Sequence, residues 1–524
     1  MLRDMQPGNG QPIFILREGT ERNHGRAAQS GNIAAARAVA EAVRSTLGPK
    51  GMDKMLVDEA GDVIITNDGA TILREMDIEH PAAKMIIEVS KTQEQECYDG
   101  TTTAVILSGE LLKRSEELIS QNIHPTTITD SFRRVGNELN TLVEELAVKS
   151  SEEHLLDVAR TSLTGKSASN VRDFLGSVCV EAVQRLAENG NINLDHIAVV
   201  KAVGGEATDS SLIDSVVLDK ERAHPSMPES LNNPRICLLN TAMVVKTTEM
   251  DANIQITDPT QIEAFLEQEE QSIKDMALKV AEFANVVVCQ REIDDLAKHY
   301  LAKLGVLAVE KVPKTDIETL SRATGASILS TLDDLTSEDE CGKCDTVIEQ
   351  YVGEIPMVFF DGPTNRAVTL LLRGGTVPFV EEVERAFDDA VGVVKVAYED
   401  GQVLPGGGAT FAALAHMLDE LAAKHIGRER LAIEAFAEAM LIVPRTLVEN
   451  AGLDPVDEMM TLRTAHASGE HIMGVNVEDG GLSNMSKMGV WEPKRVVSQA
   501  IKSAVETAIM ILRIDDVISR AKKA

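Results

Sequence analysis

The sequence predicts a multidomain protein that is mostly α-helical towards both ends and α/β in the middle. Three observations carry this reading. At 524 residues the chain is too long for one ordinary core, and its size implies roughly three or four domains. Aromatic residues are scarce, with one Trp, four Tyr and eleven Phe in a chain that is 44% apolar, so its cores must be aliphatic and Ala-rich, which favours packed helices. Between residues 235 and 330 short apolar runs alternate with helical ones, the pattern of an α/β domain with a partly parallel sheet.

Taken in order, residues 1–30 are polar and Gly-rich around Pro12–Leu16, which reads as an edge strand or a docking arm. From Asn32 the pattern is helical, with Val39, Val43 and Leu47 at four-residue steps and a stop at Gly48-Pro49. Lys54–Asp58 and Asp62–Thr66 alternate on either side of Glu59-Ala60-Gly61 and predict a β-hairpin. Asn67-Asp68-Gly69 turns into a helix, Pro81 opens another carrying Met85, Ile86 and Val89, and a third places Leu107, Leu111 and Leu118 on one face. From 149 to 216 the pattern is mixed: a polar linker at Thr161–Lys166, a helix over Val171–Glu188, and strands at Ala198–Val203 and Val216–Asp219.

The Pro-rich turn His224–Pro228 marks a boundary. Beyond it come Ile236–Leu239, then a long helix with Ile262, Phe265, Leu266, Ile273, Met276, Val280 and Phe283 on a face interrupted by Glu269 and Glu270, which leaves half that face wet. Val286–Cys289, a helix over Ile293–Leu304, Val306–Val309 and a helix over Thr315–Thr324 complete the alternation. A strand-rich section runs to about residue 372, and Arg373–Thr376 then precedes a helix carrying Glu384, Arg385, Asp388 and Asp389. Pro405–Gly408 opens an Ala-rich helical region whose last helix has Val497, Ile501, Ala504, Val505, Ala508 and Leu512 on its apolar face.

A formal net charge of −32 argues against nucleic acid as a general partner, because phosphate backbones are bound by clustered Lys and Arg. The six Cys are dispersed, which fits a reducing compartment better than a disulfide framework. The start lacks the apolar stretch of a signal peptide, and no run is long enough to span a membrane. A soluble, cytoplasmic protein is the expectation.

The chemistry concentrates at Tyr98–Thr103. Gly100 has backbone freedom denied to other residues, and the three Thr place hydroxyls and amides at a helix start, where backbone N–H groups lack intrahelical partners. Such a turn can cradle phosphate, and Asp99 beside it suits Mg²⁺, which takes one or two carboxylates together with phosphate oxygens. An ordinary helix N-cap has the same residues. Gly48, Gly69, Gly100 and Gly406–Gly408 all stand at helix boundaries where backbone can approach a ligand, and each also reads as a cap. Asp68, Asp99 and Asp389 could supply the metal ligand and the water-activating group of phosphoryl transfer, although spacing does not separate Asp389 from Asp388. Cys341 and Cys344 have half a zinc-knuckle spacing with no second pair nearby, and no Gly-x-x-x-x-Gly-Lys-Ser/Thr phosphate loop exists in the chain.

With these residues in view, the chain resembles the group II chaperonins over nearly its whole length. The most specific segments are Thr46–Lys54 (TLGPKGMDK), Thr66–Leu73 (TNDGATIL), Asp99–Thr103 (DGTTT), Leu404–Ala409 (LPGGGA) and Gly489–Pro493 (GVWEP). The resemblance implies a mostly α-helical equatorial ATPase domain from residues 1–148 and 401–524, a small α/β intermediate domain from 149–216 and 367–400, and an α/β apical domain from 217–366 whose helical protrusion at about 245–276 acts as a lid.

It also implies an ATP hydrolase with ATP and Mg²⁺ as cofactors. Leu47, Gly48 and Pro49 would line the nucleotide, Asp99 hold Mg²⁺, and Gly100, Thr101, Thr102 and Thr103 bind phosphates. Asp389 would activate water with Asp68 as a second carboxylate, Lys166 would sense the γ-phosphate, Gly407 and Gly408 would pack on the nucleoside, and Glu492 would take the ribose hydroxyls. The partners implied are unfolded polypeptides and copies or paralogues of the chain in two stacked eight-membered rings, with neither nucleic acid nor membrane. One departure stands out: the family has Gly where this chain has Tyr98. If that position has positive φ, Tyr is strained there by roughly 1 kcal/mol or more. This raises a second function, a slow or inactive ring subunit that holds unfolded chains. A soluble small-molecule ATPase is a third reading, which predicts a closed monomer that binds no polypeptide.

Overall fold

In the computed structural model, residues 20–57, 61, 63–165, 171–187, 192–244, 259–362 and 368–520 are described. The chain forms two compact units, one from residues 1–169 with 392–524 and the other from residues 170–391. Pro12–Leu16 and Lys166 lie outside the described residues.

The first unit is built of helices around one aliphatic core. Arg26–Arg44, Pro81–Cys97, Thr101–Ser120, Pro125–Leu146, Ala409–Ala422, Gly427–Met440 and Lys494–Leu512 all contribute, among them Ile33, Ile86, Leu107, Leu111, Leu414, Val497 and Ile501. Phe132 and Phe436 meet edge to face at 5.2 Å, one of the few aromatic contacts in an otherwise aliphatic interior. A Cβ on Gly109 would overlap that of Ala40, so these two helices come as close as their small residues allow. The chain ends join: Thr20–His24 pairs antiparallel with Asp516–Arg520, and Arg22 bridges to Asp516 at 2.7 Å.

Two small sheets shape the working end of this unit. The expected hairpin forms with Lys54 opposite Thr66 and Val57 opposite Val63. In the other sheet, Gln402–Pro405 is the central strand between Val148–Lys149 and Trp491–Pro493, so three segments far apart in sequence share one ladder. The helix Glu152–Leu163 runs into the stretch expected to be a polar linker. Ser151 caps it reciprocally with His154, and Leu155, Val158, Ala159 and Leu163 are buried along its apolar face.

The second unit confirms the α/β alternation. Leu307–Val309, Val286–Cys289, Arg235–Leu239 and Ile328–Leu329 lie side by side and parallel, with Gly342–Lys343 added antiparallel. Two further sheets follow: Ser215–Leu218, Ile355–Asp361, Thr346–Val352 and Ser230–Asn232 form one, and Ile197–Val203, Val368–Gly374 and Ser211–Ile213 the other. The long helix is Pro259–Phe283, which buries Ile273, Ala277 and Val280 and exposes Glu270. Its first part falls in the expected lid, of which residues 245–258 lie outside the described residues. Cys341 and Cys344 enter different apolar clusters, and burial pushes the Cys344 thiol up to about 12. Among the described residues, no helix is long and apolar enough to cross a membrane.

His466, on the helix Pro455–Ala467, is buried with Nε2 2.9 Å from the Met473 carbonyl oxygen. That oxygen can only accept, so Nε2 carries the proton. Burial pulls the His466 pKa down to about 4; the Met473 carbonyl opposes this, while His471, 5.9 Å away, and His416 add to it. Glu420 faces His416 at 3.7 Å, with Asp419 and Arg463 nearby. Because the folded pKa is depressed, the stability this ring contributes is complete above the unfolded value near 6.5 and is lost as pH falls towards 4. We expect the wild type to lose about 1–2 kcal/mol through this group between pH 7 and 5, and His466→Gln to flatten that part of the profile. Urea midpoints at the two pH values check it; parallel profiles would assign the acid sensitivity to other groups.

Candidate functional site

The helix Thr101–Ser120 starts without a side-chain cap, since its N-cap residue is Gly100, at φ 77°. The first amides of this helix therefore have no side-chain acceptor at the cap. Gly100 is required twice over: its φ is left-handed, and a Cβ there would stand 2.8 Å from Val496 Cγ1 and 2.9 Å from Gln93 Nε2. Asp99 is fixed through its backbone and its side chain. Its carbonyl accepts from Gln93 Nε2 at 2.8 Å, and Oδ1 accepts the Gly100 N–H at 2.7 Å. The same Gln93 amide donates to the Val496 carbonyl at 3.0 Å, tying the loop to the C-terminal helix.

From this loop a closed circuit of contacts passes through the other glycine turns. A Cβ on Gly69 would overlap Thr102 Oγ1, so the start of the helix Gly69–Glu75 abuts the start of Thr101–Ser120 and two positive helix ends converge. Asn67 Nδ2 donates to the Gly165 carbonyl at 3.0 Å, and a Cβ on Gly165 would lie 2.9 Å from Pro49 Cα. Gly48 meets Leu447, and Asn450 Nδ2 holds the Leu47 carbonyl at 2.9 Å. Both belong to the helix Ile442–Asn450, whose Pro444 packs on Gly408. Gly407 rests on Met485 and accepts the Val475 N–H at 2.9 Å. A Cβ on Gly406 would be 3.0 Å from Glu492 Oε1, and Glu492 lies opposite Leu404 in the three-stranded sheet.

Glu492 stands four residues before Val496, whose carbonyl Gln93 holds together with that of Asp99, and this closes the circuit. The surface of Glu492 is partly accessible, but protein surrounds the carboxyl, and desolvation pushes its pKa up to about 8, with the Asp99 charge acting in the same direction. Two acidic residues thus belong to a circuit in which helix N-termini and glycine backbone come together. Free amides, close-approaching backbone and a carboxylate beside them suit a phosphorylated ligand accompanied by a divalent cation. Among the described residues, no three His, Cys, Asp or Glu side chains could hold a metal ion by themselves. Mg²⁺ does not require three, because phosphate and water complete its shell.

The chain matches the model of the TCP-1/cpn60 chaperonin family over residues 39–522. It is 53% identical to the thermosome subunit beta of Archaeoglobus fulgidus, the match covering 97% of this chain and 95% of that protein. Thermosome subunits of Methanopyrus kandleri and Pyrococcus horikoshii are each 52% identical over 98% of this chain and 96% and 95% of their own lengths. The chain belongs to the group II chaperonins.

In this chaperonin the circuit unites Leu47, Gly48, Pro49, Asp68, Asp99–Thr103, Gly407, Gly408 and Glu492. Asp68 is the N-cap of its helix and accepts from Thr71 N at 2.8 Å and Ala70 N at 3.4 Å, so cap chemistry and a site position coincide in one residue. Asp389 belongs to the second unit, on the helix Val377–Asp400. Its neighbour Asp388 is raised to about 6 by desolvation and then by Glu384 and Asp389; its side chain is exposed, but the two like charges give the direction whatever its solvation. Tyr98 has φ 60°, so it takes the strained alternative, at a cost of about 1–2 kcal/mol for a non-Gly residue.

Sequence reasoning missed the frame of the site. Gln93, Gly165, Pro444, Leu447, Asn450, Val475 and Met485 hold its turns, and only Gly165 carries a local sign, a glycine just after a helix. Gln93→Leu removes the donor from two carbonyls. We expect it to cost about 1–3 kcal/mol and to weaken hydrogen-exchange protection at Gly100 and Thr101 more than in Pro125–Leu146. An equal loss in both places would make Gln93 a general core residue.

Proposed function

We propose that this chaperonin subunit hydrolyses ATP to drive the binding and enclosure of unfolded polypeptides. The observation that carries the reading is the closed circuit, in which five family segments from distant parts of the chain surround an uncapped helix start with Asp99 beside it. In this reading the amides of Thr101–Thr103 donate to phosphate oxygens, and the backbone at Leu47–Pro49 and at Gly407-Gly408 lies along the nucleotide. Glu492 takes the ribose hydroxyls; its raised pKa gives it a donor as well as acceptors near neutral pH. Asp99 would hold Mg²⁺, which supplies positive charge to the phosphates when bound.

Asp389 accepts the proton of the attacking water, Asp68 adds a second carboxylate, and Lys166 pairs with the terminal phosphate. Water adds to that phosphate as the bond to ADP breaks, leaving ADP and inorganic phosphate. We assign residues 1–148 and 401–524 to an equatorial domain, 149–216 and 367–400 to an intermediate domain, and 217–366 to an apical domain with a lid at 245–276. Copies or paralogues of the chain assemble in two stacked eight-membered rings, in the cytoplasm. The left-handed Tyr98 favours one alternative, a slow ring subunit acting as a holdase, and steady-state ATP turnover of the assembled wild type separates the two.

Asp389→Ala removes the base and leaves the phosphate donors in place. We expect ATP to bind within a few-fold of wild type and hydrolysis to fall by about a hundredfold or more, as measured by nucleotide retention and phosphate release. Unaltered turnover would move the role to another carboxylate, Asp388 first. Replacing 245–276 with a short Gly-Ser linker should leave rings and turnover intact and abolish protease protection of an enclosed client. Equal protection with and without the segment would mean that something else closes the cavity.

A further inference from the structure

Tyr98 is held rigidly with respect to Asp99. It caps the helix Pro81–Cys97, its N–H donates to the Glu94 carbonyl at 2.9 Å, and the next peptide carbonyl is gripped by Gln93. Its side chain lies on Gly392, in the part of the helix Val377–Asp400 that belongs to the same compact unit. A Cβ on Gly392 would stand 2.7 Å from Tyr98 Cβ and 2.5 Å from Cδ1, and would overlap Cγ. The tyrosine therefore rests directly on helix backbone, and no other residue type fits at 392 while the ring is there.

Each residue is a poor local choice alone. A non-Gly residue in the left-handed region and a Gly inside a helix both lower stability, yet here each makes the other usable. The same helix is pinned again at its end, where Arg495 Nε donates to Asp400 at 2.9 Å, three residues beyond Glu492. Two pins, eight residues apart, hold the part of the helix from Gly392 to Asp400 within the first unit. Asp99 follows Tyr98 directly, so a support that holds the Tyr98 ring also bears on where the Asp99 carboxylate stands.

We propose that Tyr98 and Gly392 form one positioning contact for ATP hydrolysis, the part of this helix from Gly392 onward seating the ring so that the neighbouring Asp99 and the loop that follows it are held in place. The role rests on reading the site as an ATPase. It makes Tyr98 a residue that sets turnover through the loop, without itself touching nucleotide.

The test is a double-mutant cycle in full-length assembled protein: wild type, Gly392→Ala, Tyr98→Gly and the double variant, with kcat, ATP KM and urea midpoint for each. Gly392→Ala should lower kcat about tenfold with KM changed less than about threefold, and the same change in the Tyr98→Gly background should lower kcat less than about threefold. Tyr98→Phe keeps the ring and should keep both wild-type kcat and the full sensitivity to Gly392→Ala. Equal losses in both backgrounds, or losses confined to KM or the urea midpoint, would overturn the role. Should Gly392→Ala not assemble, Tyr98→Leu against Tyr98→Phe decides it: a lower kcat for Leu supports the contact, and equal values overturn it. A wild type without ATP turnover sinks the ATPase reading itself, whereas an active wild type with no coupling sinks only this contact.

Discussion

The packing of the C-terminal helix Lys494–Leu512 onto the helix that begins at Thr101 is the constraint on which the first unit depends. Val497, Ile501, Ala504, Val505, Ala508 and Leu512 enter the same aliphatic core as Leu107 and Leu111, so the last part of the chain must return to the first. That return brings Glu492 within electrostatic reach of Asp99 and places Val496 where Gln93 can tie it to the Asp99–Thr103 loop. Everything between is then an excursion from a core that both ends complete. The three-stranded sheet of Val148–Lys149, Gln402–Pro405 and Trp491–Pro493 stands where the chain departs and comes back.

Small residues make the site possible. Where Gly69 meets Thr102, Gly165 meets Pro49, Gly408 meets Pro444 and Gly406 meets Val490, the separation is too short for any Cβ. At these four points the turns are held by close packing of backbone, without the ordering of polar side chains that the hydrogen bonds of Gln93, Asn67 and Asn450 require. Ordering such side chains has an entropic cost that these contacts avoid. The resulting frame presents amide dipoles, with Asp68, Asp99 and Glu492 as acidic members, and burial holds the last of these largely protonated near neutral pH.

Much of this was legible in the sequence because it is encoded locally. The amphipathic helices, the Lys54–Thr66 hairpin and the α/β alternation after residue 235 follow from periodicity, and the structure has each within a few residues of its expected place. The helix Glu152–Leu163 was not legible, because its short apolar face sits among Ser, Thr and charged residues that read as linker. The turn residues Gly48, Asp68, Gly100 and Gly407 could be named from composition at helix boundaries. Their partners on the helix Ile442–Asn450 could not, since Pro444, Leu447 and Asn450 look like ordinary helix residues.

By itself the sequence determined the element types, the family and the glycine turns and acidic residues at helix boundaries, since periodicity, turn composition and motif identity are all properties of neighbouring residues. Only the tertiary structure decided that the glycine turns form one closed circuit and that Tyr98 takes a left-handed backbone with its ring on Gly392. The physical reason is the same in each case. Such contacts depend on close approach between residues tens to hundreds of positions apart, and that distance is set by the packing of whole helices into a shared core.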